Sequence, residues 1–354
     1  MYQILNTLYI MTPNAYVHLD NDTVRIDVER QKKLQVPLHH LGTLVCFGNV
    51  MISPALMHRC ADDGIGLVLL DANGRFKARL EGAVNGNILL RQMQHRKAVE
   101  IPFVLTIAKA VIAGKLRNCR QVLLRGAREA TDEQDRNALS SAAAALANSI
   151  RNLPIAADLD VIRGIEGDAA KVYFSALPNL VRRNIREYFT MDGRTRRPPR
   201  DRFNALLSFL YSMVMNDCRS AIESVGLDPQ LGFLHSVRPG RAALALDLME
   251  EFRSILADRL ALTLINRGQV TEHDLQIREG GAVQMENDAR KIVVAAYQEK
   301  KQEEVTHPLL NTKVAFGLLP QLQARFMARA IRGESSSVSF NRACCFACQR
   351  VWKI

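Results

Sequence analysis

Two carboxylates and a histidine lie close together in the second half of the chain. Asp247 and Glu250 are three residues apart in a segment with helical apolar spacing, which places both on one helix face. His235 precedes this helix, because Pro239 and Gly240 indicate a start near residue 240. Two acids on one face repel each other unless a cation lies between them. With a nearby imidazole they would form the mixed oxygen and nitrogen ligand set that suits Mn²⁺, with Mg²⁺ tolerated.

The same spacing has a second interpretation. Asp247 and Glu250 could lie on a solvated acidic face with Arg241 and Arg253 as helical partners, and His235 could cap or pack. Spacing alone favours this structural interpretation, so other segments must decide between the two.

A glutamate flanked by small residues provides further evidence for a site. Glu166 has Gly164 and Gly167 on either side and Ala169 and Ala170 just beyond, in a segment with helical apolar spacing. An interior glycine costs a helix about 1 kcal/mol relative to alanine, so two glycines need a reason. They either allow another helix to pack closely, or they leave room for a metal and a bulky substrate to reach the carboxylate of Glu166.

Basic residues are concentrated in the same half of the chain. Arginine donates two hydrogen bonds at once to a phosphate, and a run without heptad periodicity is typical of a surface that contacts a phosphate backbone. A solvated arginine-rich loop is the alternative. The eight arginines of the run are Arg182, Arg183, Arg186, Arg194, Arg196, Arg197, Arg200 and Arg202. A shorter helical stripe, either an extension of this surface or a solvated face, comprises Lys115, Arg117, Arg120, Arg125 and Arg128.

An acid, histidine and acid set in the same domain as an arginine patch suggests metal-assisted phosphodiester chemistry. The cation would polarise the phosphoryl oxygen and orient an attacking hydroxyl or water, so no nucleophilic serine or cysteine is required.

The segments that must position these residues follow two periodicities. Residues 1–95 are expected to form strands: Thr23–Val28 alternates with period two, and an Asn73-Gly74 turn separates two strand-like runs. Ser53 and Pro54 indicate one helix there, ending near Gly64. Helical spacing dominates from about Gln92 onward. We therefore predict an α+β protein with a β-rich, β-sandwich-like domain at 1–95, a larger all-α domain at 96–333 and an atypical tail at 334–354.

Composition sets the class of partner. The 354 residues are 48% apolar and 23% charged, which is ordinary globular composition. The net charge is +11, of which residues 1–95 carry +1 and residues 96–333 carry +8, so a polyanionic partner is expected at the helical part. No transmembrane helix or secretory signal is apparent, and the seven cysteines do not form a disulfide framework, so the expected location is the cytoplasm.

Four stretches of the chain resemble a known family, the CRISPR-associated integrase of spacer acquisition (the adaptation endonuclease), and in detail the version of type I-C systems. The resemblance runs from about residue 2 to residue 333, and the four motifs in this order are quite specific. They are Gly86 to Gln92, Gly164 to Gly167, Arg197 to Asp201 with Asn204 to Tyr211, and Gly232 to His235 continuing through Asp247 to Arg253.

The resemblance implies a fold, a site and a reaction. A β-rich N-terminal domain would form a homodimer, and the helical domain would hold one divalent metal, Mg²⁺ or Mn²⁺. Carried over by position, Glu166, His235 and Glu250 correspond to the metal ligands and Asp247 to an adjacent catalytic acid. The reaction would insert short foreign DNA into a repeat array by attack of a prespacer 3′-hydroxyl on a phosphodiester. A small dimeric partner protein would bridge two integrase dimers.

The C-terminal end departs from the family. Members usually finish with an aromatic and proline-rich end, whereas this chain continues after Glu334 into serines and a cysteine cluster, as an altered reading frame would produce. Two other readings use the same residues: a stand-alone metal-dependent nuclease on branched or single-stranded DNA, and a non-catalytic basic DNA-binding scaffold. An acid flanked by glycines argues against the scaffold.

Overall fold

The chain divides into two compact units, Met1–Gly86 and Asn87–Ile354. The structure, a computed structural model, describes residues 6–72, 74, 76–80, 82, 88–196, 198–307 and 309–334. The division lies nine residues before the boundary expected at residue 95. The sequence pattern showed helical spacing only from about Gln92, whereas the first helix of the second unit begins at Ile88. Its start is obscured because the exposed Ile88 and Leu89 lie beside the buried Leu90 and share no single apolar face with it.

The first unit consists of two four-stranded sheets and one helix. The elements are β1 (Asn6–Ile10), β2 (Tyr16–Asp20), β3 (Thr23–Val28), β4 (Gln31–Pro37), β5 (Leu41–Phe47), β6 (Met51–Ile52), α1 (Pro54–Asp62), β7 (Gly66–Leu70) and β8 (Phe76–Leu80). One sheet has the order β1-β5-β7-β8, with parallel pairing except between β7 and β8, and the other has the order β4-β3-β2-β6. Both sheets and the helix contribute to one hydrophobic core, for example through Val24, Leu44 and Leu56.

The structure confirms the local predictions in this unit. β2 and β3 pair as an antiparallel hairpin, as do β7 and β8. Gly74 in the second turn has a φ of +76°, while Asn73 lies outside the described residues. The hydroxyl of Ser53 caps α1 by accepting the N–H of Leu56, and Gly64 follows the helix with positive φ.

The second unit is mostly helical and also contains two short antiparallel hairpins that the all-α prediction did not include, Leu275–Ile277 with Val283–Met285 and Glu304–Thr306 with Lys313–Ala315. Each of these strands has three residues, too few for an alternating pattern to be read from the sequence. The elements are α2 (Ile88–Val99), α3 (Ile101–Glu129), α4 (Glu133–Asn152), α5 (Leu159–Ala176), α6 (Arg202–Ser224), α7 (Ala243–Met249), α8 (Arg259–Asn266), β9 (Leu275–Ile277), β10 (Val283–Met285), α9 (Asn287–Gln302), β11 (Glu304–Thr306), β12 (Lys313–Ala315) and α10 (Leu319–Arg332).

The long helix α3 lies at the centre of this unit and packs against α4 and α5. Between α7 and α8 the chain makes a turn at residues 250–252 and a π-helical turn at Arg253–Asp258. Asn118 of α3 donates a hydrogen bond to the carbonyl of Glu251 at 2.8 Å, and Gln323 of α10 holds the Glu251 carboxylate. The turn is thereby fixed between two helices. Within the described residues, no helix combines the length and apolar character that a membrane span requires.

Candidate functional site

Three elements of the helical unit bring Lys115, Glu166 and Glu250 together. The Lys115 ammonium lies 2.7 Å from Glu250 Oε2 and also contacts Glu166 Oε1. The side chains of Lys115 and Glu250 are 8% and 3% exposed, whereas that of Glu166 is 29% exposed and opens the group to solvent. The expectation that Lys115 belongs to a solvated or DNA-binding stripe is therefore wrong: it lies in the interior, between two acids.

A loop ahead of α7 wraps around the carboxylate of Asp247. This carboxylate is fully buried and accepts the backbone N–H groups of Phe233, Leu234 and His235 at 2.6, 3.0 and 3.0 Å. Gly232 makes the close approach possible, because a Cβ there would lie 2.8 Å from Asp247 Oδ2. Three backbone donors keep the carboxylate acting as an acceptor.

The imidazole of His235 lies between the two acids of α7. Its Nδ1 is 2.7 Å from Asp247 Oδ1, and its Nε2 is 3.7 Å from Glu250 Oε1. Because Asp247 acts as an acceptor, Nδ1 of the neutral ring carries the hydrogen and Nε2 presents its lone pair toward Glu250. One of the two sequence interpretations placed a cation between the two carboxylates. The structure instead turns Asp247 toward the loop and inserts the histidine ring.

Glu250 is held ionised by its neighbours. Burial on its own would raise the pKa of this carboxyl, but the charges of Arg253 and Lys115 outweigh it and lower the pKa to about 2. Arg253 donates from 2.9 Å to Glu250 Oε1, which is the helical partnership considered for the structural interpretation of the sequence. Glu250 is consequently a buried carboxylate surrounded by positive charge.

Behind Arg253 lies a polar network that the sequence analysis did not identify. Asp258 is buried and accepts hydrogen bonds from the hydroxyls of Tyr173 at 2.8 Å and Tyr211 at 2.7 Å. The guanidinium groups of Arg253 and Arg194 lie over the ring of Tyr211, at 5.2 and 5.0 Å from its centroid. The sequence did contain a signal for this network. Tyr173 and Tyr211 lie on the apolar faces of two helical segments, where a hydroxyl needs a hydrogen-bond partner, and Asp258 lies in an apolar stretch of a third segment.

The glycines beside Glu166 border open space. An added Cβ at Gly164 or at Gly167 would have no described heavy atom outside the local helix within 4 Å. Among the described residues, therefore, no helix packs closely enough against Gly164 or Gly167 to explain why glycine is needed there. They leave the approach to Glu166 unobstructed.

The donor set fits a divalent cation that binds both oxygen and nitrogen. Glu166 and Glu250 supply carboxylates, and Nε2 of His235 supplies a lone pair oriented by the carboxylate of Asp247, as is usual for metal-ligating histidines. Among the described residues no three His, Cys, Asp or Glu side chains are yet arranged at ligand distances from one point. The Lys115 ammonium contacts the two carboxylates in this arrangement.

The arginines predicted to bind DNA separate into two groups. Arg186 makes a bidentate ion pair with Asp135 at 2.8 Å, Arg183 contacts Asp132, and Arg194 is largely enclosed and donates to Asn204 and Ser208. These three side chains are used within the fold. Of the remaining predicted residues, Arg182, Arg196 and Arg200 are exposed, and Arg197 lies outside the described residues.

Comparison with known proteins identifies close relatives. The chain is 56% identical over 335 residues to a protein of Moorella thermoacetica and 47% identical over 330 residues to one of Chlorobaculum tepidum, each named CRISPR-associated endonuclease Cas1 1. These alignments cover 95% and 93% of this chain, and 97% and 96% of the relatives.

Solved structures share the fold at low sequence identity. A Cas6-RT-Cas1–Cas2 complex matches with a TM-score of 0.82 at 22% identity, over 97% of this chain and 36% of that longer chain. A CAS1 protein from Thermotoga maritima gives 0.79 at 21%, over 93% of this chain and 97% of the other. A casposase bound to integration product gives 0.81 at 19%, over 96% and 94%.

The family model described as CRISPR associated protein Cas1 matches residues 8–299. That range includes Glu166, His235, Asp247 and Glu250, and it agrees with the identity of the full-length relatives. The chain therefore belongs to the CRISPR-associated Cas1 family.

Proposed function

We propose that this chain is a metal-dependent DNA endonuclease and integrase that inserts short foreign DNA into a CRISPR repeat array. The observation that carries the proposal is the convergence of Glu166, His235 and Glu250 in one partly open site of a strongly basic helical unit. The names of the relatives support endonuclease chemistry, and the resemblance to a casposase holding an integration product supports joining.

Glu166, His235 and Glu250 would hold Mn²⁺ or Mg²⁺. When bound, such a cation polarises the phosphoryl oxygen and stabilises charge on the leaving oxygen. Asp247 acts as a positioning residue, because it fixes the tautomer and the direction of the His235 ring. The Lys115 ammonium contacts the same two carboxylates, so its contacts with them would weaken when the site is loaded.

The reaction is a transesterification. The prespacer 3′-hydroxyl attacks the phosphorus of a repeat phosphodiester and forms a new P–O bond. The bond from phosphorus to the 3′-oxygen of the repeat strand breaks, and that oxygen takes up a proton in place of the one that the attacking hydroxyl loses. Exposed arginines, including Arg182, Arg196 and Arg200, would hold the phosphate backbone without reading its sequence. Arg197 is assigned the same role from the sequence alone.

Assembly is part of the proposal. We infer a homodimer formed through the β-rich unit, and a small dimeric partner of the kind named Cas2 in the matching complex. Assignment to a type I-C system and a cytoplasmic location remain predictions from the sequence.

Strand transfer tests the function directly. A short labelled duplex with free 3′-hydroxyls is incubated with a supercoiled plasmid bearing a repeat array, with and without Mn²⁺ and the partner. Wild-type protein should join the label at the repeat border only with metal. Glu250→Gln should abolish joining while DNA affinity stays nearly unchanged, and Asp288→Asn, at an exposed acid of α9, serves as the matched control.

The other outcomes have definite meanings. Cleavage without joining, with the partner present, would replace the integrase by a stand-alone nuclease. Equal losses of joining and affinity in Glu250→Gln would show that Glu250 maintains the fold. DNA binding without metal-dependent chemistry would leave a scaffold.

A further inference from the structure

A groove lined by arginines lies in the helical unit, away from the carboxylate site. Two adjoining cavities of about 770 and 250 Å³ form it, and they share Arg182, Asn184, Asn266 and Arg267 in their walls. The groove is therefore elongated, extending from Arg125 at one end to Thr271 at the other. An elongated groove fits an extended chain better than a small anion.

Positive charge exceeds negative charge in this groove. Its larger cavity is lined by six arginines and by only two acids, Glu129 and Asp135. Both acids are already engaged, Glu129 by Arg125 at 2.7 Å and Asp135 by Arg186 at 2.8 Å. The arginines are Arg125, Arg182, Arg183, Arg186, Arg259 and Arg267.

Two of the arginines have no counter-ion among the residues that the structure describes. Arg182 and Arg267 are exposed, and neither has a carboxylate partner among the described residues. Arg259 is more enclosed: burial, and then the nearby charge of Arg125, lower its pKa, while the charges of Glu303 and Glu129 act in the opposite direction. The six arginines of the larger cavity outnumber its acids, and this excess of positive charge favours an anionic ligand.

The groove wall is held in place by the fold. Asn266 of α8 accepts the backbone N–H of Arg182 at 2.9 Å and donates to the carbonyl of Leu180 at 2.9 Å. Gly126 of α3 faces Leu180 so closely that a Cβ there would clash with the leucine side chain. Arg182 is therefore presented from a segment fixed to both helices.

One rigid helix connects the groove to the carboxylate site. Val122, Gly126 and Glu129 line the groove and lie seven, eleven and fourteen residues beyond Lys115, which places all four on one face of α3. At a rise of 1.5 Å per residue, the groove lies about 10–20 Å from Lys115 along the axis. In one B-form strand, that distance corresponds to about three to six phosphates.

We propose that this groove binds the phosphate backbone of the DNA strand that flanks the reacting phosphodiester, with Arg182, Arg259 and Arg267 as contacts. Asparagine and threonine side chains between the arginines complete a donor set typical of phosphate and sugar contacts. The choice of DNA as ligand rests on the proposed function, whereas the groove and its charge do not. An acidic polypeptide is the competing ligand.

Salt dependence of binding provides the first test. Binding of the full-length protein to a branched duplex that represents the joined product is measured in EDTA, so that no chemistry occurs. Arg182→Ala/Arg267→Ala should reduce the slope of log Kobs against log[salt] by about 1.8, since each phosphate contact contributes about 0.9. The control Arg151→Ala/Lys291→Ala removes the same charge from exposed positions outside the groove.

Neutral phosphates provide the second test. Methylphosphonates placed three to six phosphates from the branch should weaken binding of the wild-type protein but add no loss to the groove variant. Methylphosphonates twelve phosphates away should affect both proteins equally. Equal losses at the near positions, or equal slopes in groove and control variants, would overturn the proposal, as would groove-dependent binding of polyglutamate alone. The binding measurements are made in EDTA and require no catalysis. Their outcome therefore tests the groove even if the protein fails to carry out strand transfer.

Discussion

The ammonium nitrogen of Lys115 lies 2.7 Å from Oε2 of Glu250, in a part of the helical unit where both side chains are almost completely buried. A buried ammonium is stable only when its charge is matched, and here Glu250 and Glu166 match it together. Lysine thus stabilises the carboxylates that the proposed metal would also bind.

Replacement of Lys115 by methionine should expose this competition. Removing one partner of a buried pair costs about 3 kcal/mol of unfolding free energy, and Arg253 offsets only part of it. Mn²⁺ should restore more stability to Lys115→Met than it adds to the wild type, since no ammonium then competes for the carboxylates. Urea unfolding with and without Mn²⁺ measures this, and Lys109→Met on the same helix is the control. If Mn²⁺ stabilised Lys115→Met no more than it stabilises the wild type, Lys115 would not compete with the metal for the carboxylates.

Asp247→Asn should weaken metal binding without removing a ligand. The asparagine amide cannot accept all the hydrogen bonds that the carboxylate accepts, so the His235 ring loses its fixed tautomer. Loss of such a supporting carboxylate typically lowers metal affinity by about 10–100-fold. Mn²⁺ titration followed by electron paramagnetic resonance gives the affinity. A value equal to that of Asp288→Asn would remove Asp247 from the site.

Gly164 and Gly167, the glycines beside Glu166, should lower the stability of their helix and increase the rate of strand transfer. Alanine at Gly164 or Gly167 meets no described neighbour outside the local helix within 4 Å, so each substitution should stabilise the helix by about 1 kcal/mol. Strand transfer should nevertheless slow, because the added methyl group borders the approach to Glu166. Gly232→Ala should destabilise the protein, as its Cβ would lie 2.7 Å from the Ala243 carbonyl carbon. Unchanged transfer rates in both helix variants would show that substrate does not approach there.

Asp258 should give stability a specific pH dependence. Burial raises the pKa of its carboxyl to about 6, above its ordinary value of 3.8. The folded state therefore binds the extra proton, and this contribution to stability is present below pH 3.8 and is lost as the pH rises through about 6. The stability of Asp258→Asn relative to wild type should thus rise between pH 5 and pH 7.5. Urea unfolding at several pH values checks this, and a difference independent of pH would contradict the assignment.

Two arginines of the predicted run should behave in opposite ways. Arg186→Ala breaks a bidentate pair with Asp135 and should cost about 2 kcal/mol of stability. Arg196→Ala removes an exposed side chain and should leave stability unchanged while it weakens DNA binding and flattens its salt dependence. Thermal unfolding and fluorescence anisotropy distinguish the two effects. If both variants lost DNA affinity to a similar extent, Arg186 would have to be counted among the residues that contact DNA.

The sequence predicted much of the local structure because short-range signals decide it. Ser53 with Pro54, the Asn73-Gly74 turn and the alternation at Thr23–Val28 each depend on neighbouring residues only. The helix that carries Glu166 and its flanking glycines was likewise predicted from the spacing of apolar residues near them in the sequence. Such predictions hold because the local conformational preferences and the overall fold favour the same structure at these positions.

The missed features depend on contacts between distant segments. Lys115 occupies the same helix face as the buried Val111, Cys119 and Val122, a periodicity that already argued against a solvated stripe. Nothing local, however, indicates that its partners lie 51 and 135 residues further along the chain. The grouping of arginines likewise depends on which acids the fold brings near them.

The π-helical turn at Arg253–Asp258 limits how this site can evolve. A π turn contains one residue more than an α turn, so it corresponds to a single insertion into an ordinary helix. Deleting one residue would restore the α-helix and rotate everything beyond it by about 100° relative to Glu250. Asp258 would then point away from Tyr173 and Tyr211, and Arg259 of α8 would leave the groove together with Arg267, which directly follows that helix. Lineages that keep the carboxylate site are therefore expected to tolerate substitutions in this turn far better than changes in its length.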